Sequence, residues 1–134
     1  MILTPAGDED HYMLELSKDG TPIVLLDRYI EKTQLPVITA DNYKAAFDAT
    51  MCFIQNGHTR IACVQGNEST AVNIQRVKGY CDALSQNNLS QIPDFIVGNS
   101  FSIQSGYASA ITILSASNPP TAILALSNLT GLGV

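Results

Sequence analysis

Two short stretches carry side chains able to do chemistry at the end of a buried strand. The first is Asp27-Arg28, directly after the apolar run Pro22-Ile-Val-Leu-Leu26. The second is the polar loop Gln65–Asn73 with Arg76 beyond it, after Ile61-Ala-Cys-Val64. Continuous apolar runs read as strands of a parallel sheet, buried on both faces. Open parallel sheets take their ligands in the crevice beyond the carboxyl ends of the strands. Both stretches are therefore candidates for ligand binding. Position alone leaves plainer readings open. Asp27-Arg28 also fits a surface loop with a helix-capping Asp. Arg76 fits a solvated arginine, or one paired with Glu68.

Catalysis finds less support. Asp27, Asp41 and Glu68 could act as catalytic carboxylates, but no partner residue selects one of them. Gly66-Asn-Glu-Ser-Thr has one feature of a phosphate loop, yet it lacks the second Gly and the Lys before Ser/Thr. There is no GxGxxG, and no Ser sits in a GxSxG elbow. His11 and His58 share no metal-ligand spacing with each other or with the cysteines. The sequence calls for no catalytic residue, metal or cofactor, and the expectation is a protein that is not an enzyme.

The elements that must hold these residues alternate along the chain. Ile2-Leu3 reads as the tail of a strand ending at Thr4-Pro5-Ala-Gly7. The acidic run Asp8-Glu-Asp10 suits a helix amino terminus, and Tyr12, Met13 and Leu16 repeat at helical spacing before Asp19-Gly20. Pro22–Leu26 and Leu35–Thr39 are strands flanking the polar loop Glu31–Gln34. Asp41 or Asn42 can cap a helix with Ala45, Ala49, Cys52 and Phe53 on one face, ended by Gly57. Ile61–Val64 follows as a strand, then a helix with Val77, Tyr80, Cys81 and Leu84 on one face. After the polar stretch Ser85–Pro93 come the strand Phe95–Val97 and a helix capped by Ser102. That helix has Tyr107, Ala110, Ile111 and Leu114 at helical spacing. Asn118-Pro-Pro120 forces a turn, Thr121–Leu126 is a further buried strand, and a last helix begins near Leu129. Such alternation means an α/β fold with mainly parallel sheet and helices on both faces. The pattern is cut at both ends, as in a piece of a longer protein.

The chain has 134 residues, 46% hydrophobic and 14% charged, enough for one core of ordinary size. Seven Lys+Arg against twelve Asp+Glu give a formal charge of −5. With no basic patch, the chain alone is poorly suited to gripping nucleic-acid phosphates. Nothing resembles a signal peptide or a membrane span. Cys52, Cys63 and Cys81 are odd in number and each lies in an apolar pattern, so they read as reduced core residues of a cytoplasmic protein.

Several of these pieces occur together in one known order. They are Ile2-Leu-Thr-Pro-Ala6, Thr21-Pro-Ile-Val-Leu-Leu-Asp-Arg28, and Asp41-Asn42 before an alanine-rich helix. Then come Gly57-His58-x-Arg60-Ile-Ala, Gly66, Arg76-x-x-Gly79-Tyr80 and Pro120-Thr-Ala-Ile-Leu-Ala-Leu-Ser-Asn128. In this order and spacing, the chain resembles the effector-binding core of LacI/GalR-type bacterial transcription regulators, which share the fold of the periplasmic sugar-binding proteins (type I).

The resemblance implies a division into 1–40, part of a first subdomain, and 41–134, most of a second. In that family the two clamp a small effector, usually a sugar or a nucleobase. It implies that Asp27 and Arg28 face the cleft from the first subdomain. Arg76 would reach in from the second, where a guanidinium can fork onto ligand oxygens. Phe101 falls where an aromatic ring often stacks on the effector, Asn128 where an amide commonly contacts it, and Asn73 is a weaker candidate one helical turn before Arg76. The implied partners are the effector, a second copy in a homodimer, and DNA only through a helix-turn-helix that this chain lacks. The implied function is effector sensing in a regulator. The runner-up is a transport-type solute-binding protein of the same fold.

Overall fold

A computed structural model describes residues 1–4, 11–27 and 33–134, with the backbone alone at residues 11, 13 and 14. Arg28, the acidic run at 8–10, and part of each flanking loop lie outside the described residues. The chain forms two compact units, Met1–Asp41 and Asn42–Val134.

The first unit is a three-stranded parallel sheet in the order β1 (Ile2–Leu3), β2 (Val24–Leu26), β3 (Val37–Ile38), with helix α1 (His11–Lys18) between β1 and β2. Ile2 pairs with Val24, and Leu25 with Val37. β2 is central because its apolar run can lose water on both faces. Leu25 is fully buried beside Ile23, with Leu3, Leu16 and Leu35 packed against the pair.

The second unit has β4 (Ile61–Val64) in the middle of a parallel sheet ordered β5-β4-β6, where β5 is Ile96–Val97 and β6 is Ala122–Ala125. All four β4 residues are buried, as a strand covered on both faces requires. Ile61 and Cys63 join Tyr80, Leu84 and Leu126 in one core cluster, which also gathers Phe53 and Ile54. Ala62 and Val64 join Phe95 and Ile113 in another. Helices α2 (Asn42–Gln55) and α3 (Ala71–Gln86) thus serve one face of the sheet, and α4 (Ile103–Leu114) the other. The short helix α5 (Asn128–Gly133) follows β6.

The helix boundaries have local causes. Gly57 at φ +86° ends α2: its N–H donates to the Ile54 carbonyl, and that of His58 to the Phe53 carbonyl. This double closure satisfies carbonyls that a helix end leaves open. Thr70 caps α3 and Ser102 caps α4 through their hydroxyls, and Ser127 and Thr130 form a reciprocal capping box on α5.

Three sequence expectations are corrected. Of the four α4 residues at helical spacing, Ala110 is buried but Tyr107, Ile111 and Leu114 are exposed, and the helix buries Gly106, Ser109 and Ile113 in their place. α4 carries no charged residue to mark its wet side, so periodicity alone could not choose the face. Cys52 lies on the exposed side of α2 rather than in the core, whereas Cys63 is buried. Residues 122–125 of β6 are half-buried rather than buried, because β6 is an edge strand.

Candidate functional site

In the second unit, β4, β5 and β6 run parallel, so their carboxyl ends open on one edge of the sheet. The helices that follow start at this edge and bring their first residues there. Phe101, Asn73 and Asn128 belong to these strand-end loops and first helical turns, and Arg76 lies just beyond the first turn of α3.

Arg76 lies one turn into α3. Its Nε donates to Asn42 Oδ1 at 2.9 Å, and its Nη1 donates to the Leu126 carbonyl. The guanidinium therefore ties the start of α2 to the end of β6, and neither plainer sequence alternative applies. It is not a freely solvated side chain. Glu68 is held elsewhere, accepting from Gln65 Nε2 at 3.1 Å. A guanidinium has five N–H donors, and these two bonds use two of them.

Asn73 is used internally. It is 2% exposed, its Oδ1 accepts from the Gly66 N–H at 2.8 Å, and its Nδ2 donates to Gln65 Oε1 at 3.1 Å. Both ends of the amide thus fix the loop that leaves β4. Gln65 is the residue that sequence reasoning passed over. Its only signal was its place as the first polar side chain after the apolar run.

That fixed loop seats Phe101. A Cβ on Gly66 would collide with the Phe101 ring, so the ring lies directly against the Gly66 backbone. The half-buried ring is thereby positioned by a residue with no side chain. Asn128, the first residue of α5, is exposed, and its amide has no hydrogen-bond partner among the described residues.

In the first unit, Asp27 follows β2 with φ +71°, one of two non-glycine residues in the left-handed region among the described residues. Its N–H donates to the Ile38 carbonyl at 2.8 Å and its carbonyl accepts from Thr39 Oγ1 at 3.1 Å, so the backbone is held in that conformation. Its side chain is exposed. Aspartate tolerates this region better than most residues. Arg28, its neighbour, lies outside the described residues.

His58 and Cys63 make their contacts within the fold. His58 Nδ1 is 3.0 Å from Thr121 Oγ1, and its ring meets Phe53 edge-on. Burial, and then the neighbouring Cys81, push the Cys63 thiol well above its ordinary pKa, which makes it a poor nucleophile. Among the described residues no three His, Cys, Asp or Glu side chains gather to hold a metal ion. Among the described residues no helix is long and apolar enough to cross a membrane.

Comparison with known proteins matches residues 1–134 to the family of periplasmic binding proteins and the sugar-binding domain of the LacI family. Catabolite control protein A of Priestia megaterium is 33% identical over 135 residues, covering 100% of this chain and 41% of that protein. The HTH-type transcriptional repressor CytR of Escherichia coli K12 is 30% identical over 120 residues, 90% of this chain and 35% of the repressor. Among solved structures, a regulatory protein of the LacI family from Chloroflexus aggregans superposes with a TM-score of 0.86 at 25% identity, over 98% of this chain and 48% of that one. The chain thus spans less than half the length of each of these relatives.

Proposed function

The chain belongs to the family of periplasmic binding proteins and LacI-type sugar-binding domains, and on that premise we propose that it is the effector-sensing part of a transcription regulator. The observation that carries this reading is the carboxyl edge of the second unit. It gathers a guanidinium with donors to spare, an aromatic ring seated on Gly66 and an unpaired amide at Asn128. A ring face suits the apolar side of a sugar, while guanidinium and amide suit its oxygens. Asp27 and Arg28 are the contacts proposed for the first unit, with the exposed Asp27 carboxylate accepting from ligand hydroxyls. Asn73 is proposed to act through the loop it fixes.

A sugar is the favoured effector class, with a nucleobase as the other that this chemistry admits. The relatives named above are regulators, which favours sensing over solute transport and over catalysis. Effector binding would shift the population of two states of a homodimer, and the shift would reach DNA through a helix-turn-helix outside this chain. Calorimetric titration of the intact regulator against pentoses, hexoses and nucleobases tests the reading. One compound is expected to bind saturably, and Arg76→Ala or Asp27→Ala to weaken it by about tenfold or more, the worth of a charged hydrogen bond. Affinity unchanged in both variants would overturn the site.

A further inference from the structure

We propose that Asn42 is a positioning residue for effector recognition, one that fixes the plane of the Arg76 guanidinium at the carboxyl edge of the second unit. The inference rests on the reading of that edge as the effector site. The sequence offered Asn42 only as a possible helix cap. In the structure it is the first residue of α2 and 2% exposed, and its Oδ1 accepts from Arg76 Nε at 2.9 Å.

Arg76 is gripped through two different nitrogens of its guanidinium. Nε donates to Asn42 and Nη1 to the Leu126 carbonyl. A planar group held at two of its nitrogens cannot turn about its own stem, so these bonds set where Nη2 points. The two grips differ in kind. Leu126 offers a backbone oxygen, and its own N–H donates to the Val64 carbonyl at 2.9 Å, so it is fixed to the sheet. Asn128 follows two residues later, and the same grip therefore keeps Arg76 in register with a second proposed contact. Asn42 is the one side chain among the described residues that bonds the guanidinium. It is thus the point at which a substitution can change the orientation of Arg76 without touching Arg76 itself.

A close helix contact puts Asn42 within reach. A Cβ on Gly79 would collide with the Tyr43 carbonyl oxygen, so the first turn of α2 lies directly on the α3 backbone. Tyr43 follows Asn42, and Gly79 lies three residues after Arg76, about one helical turn. The buried Asn42 amide and the Arg76 side chain thus meet at that crossing. The bond between them is part-buried, and a charged donor that loses its partner away from water is costly. Removing the Asn42 oxygen would therefore drive Nε toward another acceptor and turn the guanidinium. Neither acceptor carries a charge, so the grip orients the guanidinium without neutralising it.

Calorimetric titration of the intact regulator with D-ribose, D-glucose, D-galactose and adenine as probes tests the role. Asn42→Ala should weaken the probe that binds the wild type by about fivefold, the ordinary worth of one hydrogen bond. Asn42→Asp, which keeps an acceptor oxygen in the same place, should restore the affinity. Asn42→Leu, of similar volume, gives the same reading as Asn42→Ala should the latter fold poorly. In Arg76→Met, which keeps the stem without the N–H groups, adding Asn42→Ala should change affinity no further. Equal affinity of Asn42→Ala and wild type, or an equal loss in both backgrounds, would overturn the positioning role. The Arg76 Nε–H resonance, recorded without any probe, reads the tie by itself. Slow exchange with water is expected in wild type and Asn42→Asp, and fast exchange in Asn42→Ala. Fast exchange in the wild type would overturn the tie. Slow exchange there with no saturable binding of any probe would overturn the effector reading, and this role with it.

Discussion

Asp27 holds a backbone conformation that runs against local stability, at the position proposed to contact the effector. A side chain at φ +71° costs energy that glycine does not incur. Two backbone hydrogen bonds hold Asp27 there, at the end of β2. Asp27→Gly is therefore expected to keep the fold and to leave stability unchanged or raised by up to about 1 kcal/mol. The same change should cost effector affinity, and urea unfolding paired with ligand titration separates the two effects. A clear loss of stability would mean that the carboxylate has a structural role instead. Asp27 and the strand before it were legible in the sequence as an apolar run ending in charge. The conformation was not, since it depends on pairing with β3. Arg76 was legible as a candidate but not as a tie. Its partners lie 34 and 50 residues away, at Asn42 and Leu126, and no local spacing announces them. Asn73 shows the reverse case: helical spacing placed it near the site, while its amide turned out to be spent on Gln65 and Gly66.

At the scale of elements, the contact between α2 and α3 supports the candidate site from behind. Gly79 makes it possible, because a Cβ there would collide with the Tyr43 carbonyl oxygen. Gly79→Ala should force the helices apart and cost about 2 kcal/mol, within the usual range for overpacking, visible as a lower urea midpoint. The same contact carries a small charge cluster. Asp82 Oδ2 accepts from Lys78 Nζ and Tyr43 Oη, each at 3.0 Å, and the Lys78 ammonium lies 4.7 Å from the centre of the Tyr43 ring. The Lys78 hydrogen bond first, and that of Tyr43 second, hold the Asp82 carboxyl below the usual carboxylate range. A lowered folded-state pKa adds stability that is present above the unfolded value and lost as pH falls through the folded one. Stability should therefore decline on the acid side, and Asp82→Asn should flatten that decline. Urea midpoints measured down through the carboxylate range check this, and an identical slope in the variant would refute it. The helix and strand order was readable because strand runs, caps and Gly57 are local signals. The buried face of α4 was not. Small and apolar residues surround that helix, so only its packing against β4 and α5 reveals which side is covered.

For the whole molecule, charge is distributed unevenly. The stretch from Phe95 to Val134 carries none, so the formal charge of −5 resides entirely in the residues before it. Membership of the LacI-type family, read first from scattered motifs, holds over the full chain. The effector recognition proposed above would rest on the strand-end edge, and Asn128 gives its cleanest test. Its side chain has no partner among the described residues, so its loss should leave the fold intact, unlike the loss of Arg76. The most direct measurement is calorimetric titration of wild-type and Asn128→Ala intact regulator, side by side, against the sugar and nucleobase panel. The account predicts saturable binding of at least one compound by the wild type. The variant should bind it about tenfold more weakly, with unchanged thermal stability. No saturable heat with any compound, or equal affinity in the two proteins, would contradict it.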